Sequence, residues 1–186
     1  VKFVPSDNIL LNSIYVKKPN ATSYSSYTSG TELTAEGTYT FYCTDKAGNT
    51  SEYYTVTVDR QVPVGTVHGG EAIKSNGVYT NASYVKYTAN DGVSGIKALY
   101  VKMPNSSTYS SYSSGTQLAT EGTYYFYAID NAGNQSTTMS ITLDKTKPTG
   151  IIYGGTKELK SGAYTNASYV KFVPSDNILL NSIYVK

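Results

Sequence analysis

The stretch EGTYYFYAIDNAGNQSTTMSITLDKTKP, residues 121–148, decides the fold of this chain. Side chains alternate between two faces in both of its halves, which is the period of a strand that buries one face. Aromatic and β-branched residues are frequent, as is usual in strands. The residues predicted to face inward are Tyr124, Phe126, Ala128, Met139, Ile141 and Leu143.

The segment AIDNAGNQST, residues 128–137, joins the two predicted strands. Gly133 can adopt a positive φ, and the Asp and Asn side chains of the segment can bond to nearby backbone groups. The segment therefore predicts a hairpin loop.

The same pattern occurs earlier as EGTYTFYCTDKAGNTSEYYTVTVDRQVP, residues 36–63, at an offset of 85 residues (121 − 36 = 85). A fixed period of this size indicates an array of similar domains. The seventeen residues VKFVPSDNILLNSIYVK occur at 1–17 and again at 170–186, an offset of 169 (170 − 1 = 169) that is one less than twice 85. We therefore expect a larger repeat of two domains, with this chain as one window of a longer array.

Three domains are predicted, and only the middle one, 63–147, is complete. Its predicted strands are 64–69, 84–89 and 96–103, two shorter segments at 107–115 and 116–119, and the two strong strands, with 69–81 as a turn-rich connection. Residues 1–62 form a partial domain without its first strand, and 148–186 supply the first strands of a third. Short strands separated by turn signals every 8–12 residues or so predict an all-β fold of tandem antiparallel β-sandwiches.

The two partial domains would each leave half of a core exposed. We expect the missing strands to come from the continuing chain, or from an adjacent chain by strand complementation. A folded, isolated monomer of the 186-residue chain would contradict both versions.

The composition excludes several functional classes. The formal charge is +2 and no run of Lys or Arg forms a stripe, so nucleic acid is not an expected partner. No apolar run approaches the roughly 18 residues of a membrane span. The chain has 20 Tyr, no Trp and 15% charged residues, compared with a typical ~25%.

Four motifs of the middle copy resemble those of bacterial immunoglobulin-like repeat domains of large cell-surface and adhesin proteins. They are Asp91…Ser94-Gly95-Ile96, Glu121-Gly122-Thr123-Tyr124, Asp130-Asn131-Ala132-Gly133-Asn134 and Asp144-Lys145-Thr146-Lys147-Pro148. The resemblance covers essentially the whole chain and implies tandem immunoglobulin-like sandwiches, an extracellular location, and tyrosine corners at Tyr39 and Tyr124. The first copy departs from the pattern, because Leu11-Asn12-Ser13-Ile14 replaces Ser-Gly-Ile and the linker at 59–63 lacks the usual threonine.

An enzyme is not predicted. His68 is the only histidine, and its repeat counterpart is Tyr153. Catalysis by a histidine needs a partner acid or nucleophile, and the thirteen acidic residues show no pairing or metal-ligand spacing that would supply one. Cys43 is the only cysteine and takes the inward place of Ala128, so we expect a small buried side chain.

Calcium is the cofactor for which the sequence offers candidate ligands. Asp91, Asp130 and Asp144 recur in the first copy as Asp7, Asp45 and Asp59. Oxygen ligands that converge at a domain junction would bind Ca²⁺ and stiffen the array. The favoured interpretation is that these aspartates cap backbone donors in turns, and no cofactor is then required.

The Tyr-Ser segments predict a contact surface. SYSSY at 23–27 and TYSSY at 108–112 would present Tyr24, Tyr27, Tyr109 and Tyr112 to a ligand or to a packed neighbour. The alternative is an exposed strand whose tyrosines cover the neighbouring sheet.

These observations favour a structural function, in which the chain is a stalk or filament segment of a bacterial extracellular surface protein. Its partners would be neighbouring repeats of the same protein, and adjacent chains through strand complementation or lateral packing. The alternative is a carbohydrate- or protein-binding module that uses the Tyr/Ser-rich strand faces.

Overall fold

The computed structural model describes residues 1–184, which form strands and turns only. Since none of these residues lies in a helix, the described chain has no helix that could cross a membrane. The strands are β1 (Leu11–Lys17), β2 (Ser25–Ser26), β3 (Gly37–Asp45), β4 (Tyr54–Val58), β5 (Val64–Gly69), β6 (Ala72–Lys74), β7 (Val78–Thr80), β8 (Val85–Asn90), β9 (Ile96–Lys102), β10 (Ser110–Tyr112), β11 (Gly122–Asp130), β12 (Met139–Leu143), β13 (Thr149–Gly154), β14 (Lys157–Leu159) and β15 (Val170–Ser175).

The strands form four sheets, and each sheet draws its strands from one repeat copy. The first copy contributes β2-β1-β3-β4, and the third contributes β14-β13-β15. The middle copy contributes two sheets, β6-β5-β8 and β10-β9-β11-β12-β7. Neighbours are antiparallel except β12 and β7, which are parallel. The all-β prediction is therefore confirmed.

The two sheets of the middle copy face each other over one core, as in a β-sandwich. Val67, Val85 and Tyr87 come from the smaller sheet, and Phe126 of the larger sheet stacks on Tyr87 at 5.0 Å between ring centroids. Burying one such aromatic or aliphatic side chain stabilises a fold by about 1.5–3 kcal/mol. The core therefore needs both sheets.

The alternation predicted for the two strong strands is confirmed. Tyr124, Phe126 and Ala128 of β11 are fully buried, and so are Ile141 and Leu143 of the adjacent β12. Met139, the remaining predicted inward residue, is partly buried against the same core. In the first copy, Cys43 is buried in β3, as expected for the counterpart of Ala128.

The hairpin predicted between these strands is also present. Gly133 has a φ of 97°, and the Asp130 carboxylate accepts a hydrogen bond from the backbone N–H of Asn134 at 2.8 Å. The first copy repeats this turn, since Asp45 accepts from the Asn49 N–H at the same distance. The hydrogen bond between the Asp carboxylate and the Asn N–H thus shapes the loop in both copies.

Two predictions for the middle copy were wrong. The connection at 69–81 contains the short strands β6 and β7, and 116–119 is not a strand, although Leu118 bonds with Val85 through two backbone hydrogen bonds. A strand of three residues, such as β6 or β7, is too short to show the alternation of side chains that identifies a strand in a sequence. β7 forms because it pairs with β12, which is distant in sequence.

The first and third copies contain different parts of this arrangement. In the first copy, residues 1–10 form no strand, but the Phe3 N–H donates to the Tyr27 hydroxyl as the Tyr87 N–H does to Tyr112. Residues 1–3 thus follow the path of the start of β8. The third copy has counterparts of β5, β6 and β8, and residues 176–184 form no strand.

The Tyr112 hydroxyl provides a test of this core. It accepts from the Tyr87 N–H at 3.0 Å and donates to the Thr116 carbonyl. Tyr112→Phe leaves both groups without that partner, so we expect a loss of about 1–3 kcal/mol in the free energy of unfolding. The measurement is hydrogen exchange of the slowest β11 amides.

Tyr109→Phe is the control, because Tyr109 lies three residues away on the outer face and is exposed. We expect a change within about 0.5 kcal/mol for this surface substitution. Equal losses in the two variants would show that the Tyr112 hydroxyl does not contribute in this way.

Candidate functional sites

Three carboxylates meet where the first copy joins the middle copy. Oxygens of Asp59, Asp91 and Asp130 all lie within 4.8 Å of one another. Asp130 is fully buried, Asp59 is 8% exposed and Asp91 is half-buried. We call this set the junction triad.

The fold places each triad residue at the end of a strand. Asp59 follows β4, Asp91 follows β8, and Asp130 is the last residue of β11. The ends of β8 and β11 lie at the same edge of the middle copy, and the linker brings Asp59 from the first copy to that edge. The triad therefore combines two loops of one repeat with the linker of the preceding one.

Hydrogen bonds tie the linker to the middle copy. The Asp59 carboxylate accepts from the Ser94 N–H at 3.0 Å, and the Asp59 carbonyl accepts from the Asn134 side-chain amide at 3.2 Å. The same amide donates to Asp130 at 2.8 Å. Asn134 therefore links the hairpin of the middle copy to the linker.

Backbone N–H groups offset much of the negative charge in the triad. Asp91 accepts from the N–H groups of Val93, Ser94 and Gly95, and the Gly95 N–H is the main reason that the pKa of Asp91 lies below its usual range. Turn capping, the favoured prediction for these aspartates, is therefore observed at Asp91, and also at Asp130.

The sequence-predicted calcium candidates are only partly brought together. Asp91 and Asp130 are in the triad, whereas Asp144 is in the next linker and accepts from the Thr146 N–H at 3.2 Å. Asp144 is the counterpart of Asp59 at the offset of 85 (144 − 59 = 85). Grouping each linker aspartate with the loops that follow it would have identified Asp59.

The first-copy aspartates show the same turns without a linker aspartate beside them. Asp7 caps the N–H groups of Ile9 and Leu10, and Asp45 bonds to both nitrogens of Asn49. The Asn49 side chain is the main reason that the pKa of Asp45 lies below its usual range.

The junction triad is the set of residues in the described chain that could hold a metal ion. Carboxylate oxygens are ligands that Ca²⁺ prefers, and a bound cation would offset the mutual repulsion of three acids. Calcium binding stays the alternative to turn capping, with Asp59 added to Asp91 and Asp130 as the candidate ligands.

Calcium binding predicts a cation-dependent melting temperature. A ligand at 100 times its Kd stabilises the form that binds it by about 2.7 kcal/mol, so we expect the chain to melt higher in Ca²⁺ than in chelator. The difference should disappear in Asp130→Asn and remain in Asp144→Asn, whose side chain lies outside the triad. Identical melting in Ca²⁺ and chelator for the unmodified chain would leave turn capping as the only role.

A glutamate fixes the linker at each junction. Glu121 accepts from the Lys145 N–H at 2.5 Å, from the Thr146 hydroxyl at 2.9 Å and from the Asn177 amide at 3.1 Å. In the first copy, Glu36 accepts from the Gln61 side chain at 2.8 Å. The EGTY motif therefore has a second role beyond starting a strand.

This contact makes the second linker sensitive to acid. The Lys145 N–H, followed by the Thr146 hydroxyl, lowers the pKa of Glu121. A lowered pKa in the folded state gives a contribution that is complete above the unfolded pKa of about 4.3 and is lost as pH falls through the lower folded pKa. We expect the Lys145 and Thr146 amide signals to shift together below about pH 4.3 in an NMR titration.

Glu121→Gln should abolish this shared transition, because glutamine does not titrate. Glu158→Gln, at an exposed glutamate in β14, is the control and should leave it unchanged. A transition that persists in Glu121→Gln would assign the shift to another group.

The four predicted contact tyrosines lie in two different environments. Tyr27 and Tyr112 are buried, and their hydroxyls donate to the carbonyls of Thr31 and Thr116. Tyr24 and Tyr109 are exposed on the outer face of their sheets. Because side chains alternate between the two faces, Tyr112 points inward and Tyr109 points outward. Tyr27 and Tyr24 differ in the same way.

Each exposed tyrosine belongs to a surface cluster. Tyr24 meets Tyr42 edge to face at 4.9 Å, and Tyr42 stacks on Tyr15 at 4.8 Å. Tyr109 meets Tyr127 edge to face at 4.8 Å, and Tyr127 stacks on Tyr100 at 4.9 Å. We call these the outer tyrosine clusters.

The rings shield one another from solvent. Burial raises the pKa of both Tyr42 and Tyr127, and neighbouring tyrosines add to the effect. In the middle copy, the Lys102 ammonium lies 4.2 Å from the centroid of the Tyr125 ring and 5.7 Å from that of Tyr109. The surface thus combines flat aromatic area with hydroxyls and one cation.

His68 lies in β5, away from the junction triad. Its Nε2 is 3.2 Å from the Thr88 hydroxyl on the adjacent strand, and its Nδ1 is buried without a hydrogen-bond partner among the described residues. The described hydrogen-bond contact of the ring is therefore with a hydroxyl.

Comparison with known proteins adds no relative to this description. No family model matches the chain, and no curated protein matches it.

Proposed function

We propose that this chain is a segment of a structural stalk or filament, built from immunoglobulin-like repeats of a bacterial extracellular surface protein. The observation that carries the proposal is the junction triad with Asn134, through which one repeat is bonded to the next. A stalk needs junctions that resist bending, because flexible linkers would lose reach.

The internal arrangement of the copies supports the same proposal. Two sheets face each other in the middle copy, and the Tyr124 hydroxyl donates to the Thr120 carbonyl four residues earlier, as in a tyrosine corner. Tyr39 repeats this contact with Ala35. Modules in series each bear the full tension along an array, so equivalent modules leave no weak member, and the low fraction of charged side chains suits a polar, extended array.

Asn134→Ala tests whether the junction is stiff. The substitution removes the amide that donates to the Asp59 carbonyl, so we expect the first and middle copies to reorient independently. In the unmodified chain, residual dipolar couplings from both copies should fit one alignment tensor. In the variant they should require two tensors.

Asn49→Ala is the matched control, because Asn49 holds the same turn in the first copy and its described bonds are to Asp45 alone. One tensor should still describe this variant. If the unmodified chain already requires two tensors, the junction does not transmit stiffness and the stalk proposal loses its support.

The outer tyrosine clusters favour a second candidate, a carbohydrate-binding module. Exposed aromatic faces with adjacent hydroxyls suit the apolar faces and hydroxyls of sugars. Tyr24→Ala combined with Tyr109→Ala should abolish binding to a glycan array, whereas Tyr79→Ala, at an exposed tyrosine in β7, should not. An array without a positive signal for the unmodified chain would exclude this candidate.

A further inference from the structure

A groove lies at each of the two junctions between repeat copies. Its volume is about 410 Å³ at the first junction and about 510 Å³ at the second. Each groove lies between the corner that follows β1 or β9, the first residues of β3 or β11, and a loop of the next copy. Most lining positions of the two grooves correspond at the offset of 85. The groove is therefore a recurring feature of the repeat. We call the larger one the second groove.

The walls of each groove are held by a close contact between a glycine and a proline. Gly122, at the start of β11, has a φ of 122°, and a Cβ there would lie 2.7 Å from the Cβ of Pro104. Gly37 and Pro19 repeat this approach in the first copy at 2.6 Å. The corner thus packs directly on the backbone of the strand, so the groove is formed before any ligand enters, as is usual for small-ligand sites.

Two side chains distinguish the second groove from the first. Tyr125 of β11 and Lys102 of β9 lie opposite each other in the sheet, and both line the second groove. Their counterparts at the offset of 85, Thr40 and Lys17, are not among the described residues that line the first groove. The second groove therefore has an aromatic wall and a cation that the first groove lacks.

Lys102 carries the free positive charge of the second groove. Among residues 1–184 it has no ion pair, and its ammonium lies against the rings of Tyr125 and Tyr109. Glu121, the other charged residue of the lining, already accepts hydrogen bonds from three donors in the linker and the next copy. An ammonium has three N–H donors, so Lys102 can still bind an anionic group.

Neutral hydrogen-bonding groups form much of the remaining lining. They include the side chains of Asn105, Ser106 and Thr123. Asn105 is exposed at a φ of 63°, in the corner that follows β9. A ligand that suits this lining has an apolar face for the tyrosine, hydroxyls for the amide and hydroxyl groups, and one negative charge for the lysine.

We propose that the second groove binds an acidic sugar, a pyranose that carries a carboxylate. The carboxylate would pair with the Lys102 ammonium, and the C–H face of the sugar would pack against Tyr125. The sugar hydroxyls would bond to Asn105 and its neighbours. The volume of about 510 Å³ lies within the usual range of about 300–1,000 Å³ for small-ligand sites.

This inference does not depend on the stalk proposal. It also differs from the carbohydrate candidate above, which places the sugar on the outer tyrosine clusters of both copies and requires no charge on the sugar. The acidic-sugar site is confined to the second groove. The position of binding and the preference for a carboxylate therefore separate the two ideas.

The first measurement is an NMR titration of the 186-residue chain with trigalacturonic acid. We expect the amide signals of Asn105 and Thr123 to shift, and those of their first-copy counterparts, Asn20 and Thr38, to stay in place. Galactotriose is the matched ligand, because it has the same ring with a hydroxymethyl group in place of the carboxylate. It should bind about tenfold more weakly, since it lacks the charge-assisted hydrogen bond.

Lys102→Gln tests the cation. We expect trigalacturonic acid to bind this variant about tenfold more weakly, and the preference over galactotriose to disappear. Lys97→Gln is the matched control, because Lys97 is an exposed lysine of the same strand that does not line the groove. It changes the net charge equally and should leave both affinities unchanged.

Tyr125→Thr tests the aromatic wall. It introduces the residue that the first copy has at this position, which the same strand accommodates there. We expect both sugars to bind more weakly to this variant, whereas Tyr125→Phe, which keeps the ring, should bind them as the unmodified chain does.

Several outcomes would overturn the acidic-sugar site. They are equal affinity for the two sugars, equal loss in Lys102→Gln and Lys97→Gln, and no shift at the second groove with millimolar trigalacturonic acid. Acetate at the same carboxylate concentration should cause no shift there, and an equal shift would show a site for simple anions only. Shifts at the outer tyrosine clusters of both copies, without any at the groove, would support the carbohydrate candidate and exclude this site.

Discussion

The structure depends on covering the inner face of the β11 and β12 sheet. In the middle copy this cover is β5 and β8, and the contact at its centre is the stack of Tyr87 on Phe126. The cover fits closely, because a Cβ at Gly65 of β5 would overlap the Tyr87 ring. The third copy repeats this approach with Gly150 and Phe172, so β13 and β15 lie together in the same way as β5 and β8.

Features set by neighbouring residues could be predicted from the sequence, and features set by distant pairing could not. The alternation of β11 and β12 and the Asp130 to Asn134 turn depend on residues within a few positions of one another, and all three are present. β7 and the inward direction of Tyr112 depend on partners far along the chain. The sequence gives no local signal for such contacts.

The junction triad contains both features that neighbouring residues determine and a feature that depends on distant parts of the chain. Asp91 and Asp130 cap their own turns, so the sequence alone identifies them as loop residues. Their meeting with Asp59 depends on where the linker enters the next repeat, which the spacing does not specify. The Asn134 side-chain amide takes part in both the local turn and the contact between repeats, because it donates to Asp130 within the turn and to the carbonyl of Asp59 in the preceding linker. A residue that shapes a hairpin in one repeat therefore also orients its neighbour.

The outer tyrosine clusters are built on cross-strand pairs, since Tyr15 lies opposite Tyr42 and Tyr100 lies opposite Tyr127. Tyr24 and Tyr109 make their described aromatic contacts with other tyrosines on the surface, whereas the core alternates with them on the opposite face of the sheet. The copies have diverged elsewhere, with Cys43 in place of Ala128 and Thr40 in place of Tyr125. The edge-to-face pairs have nevertheless persisted in both copies. Aromatic pairs between neighbouring strands each contribute roughly 0.2–1 kcal/mol to a sheet, so the stability of the outer face is a sufficient physical reason for their retention, and the inner face remains free to close the domain independently.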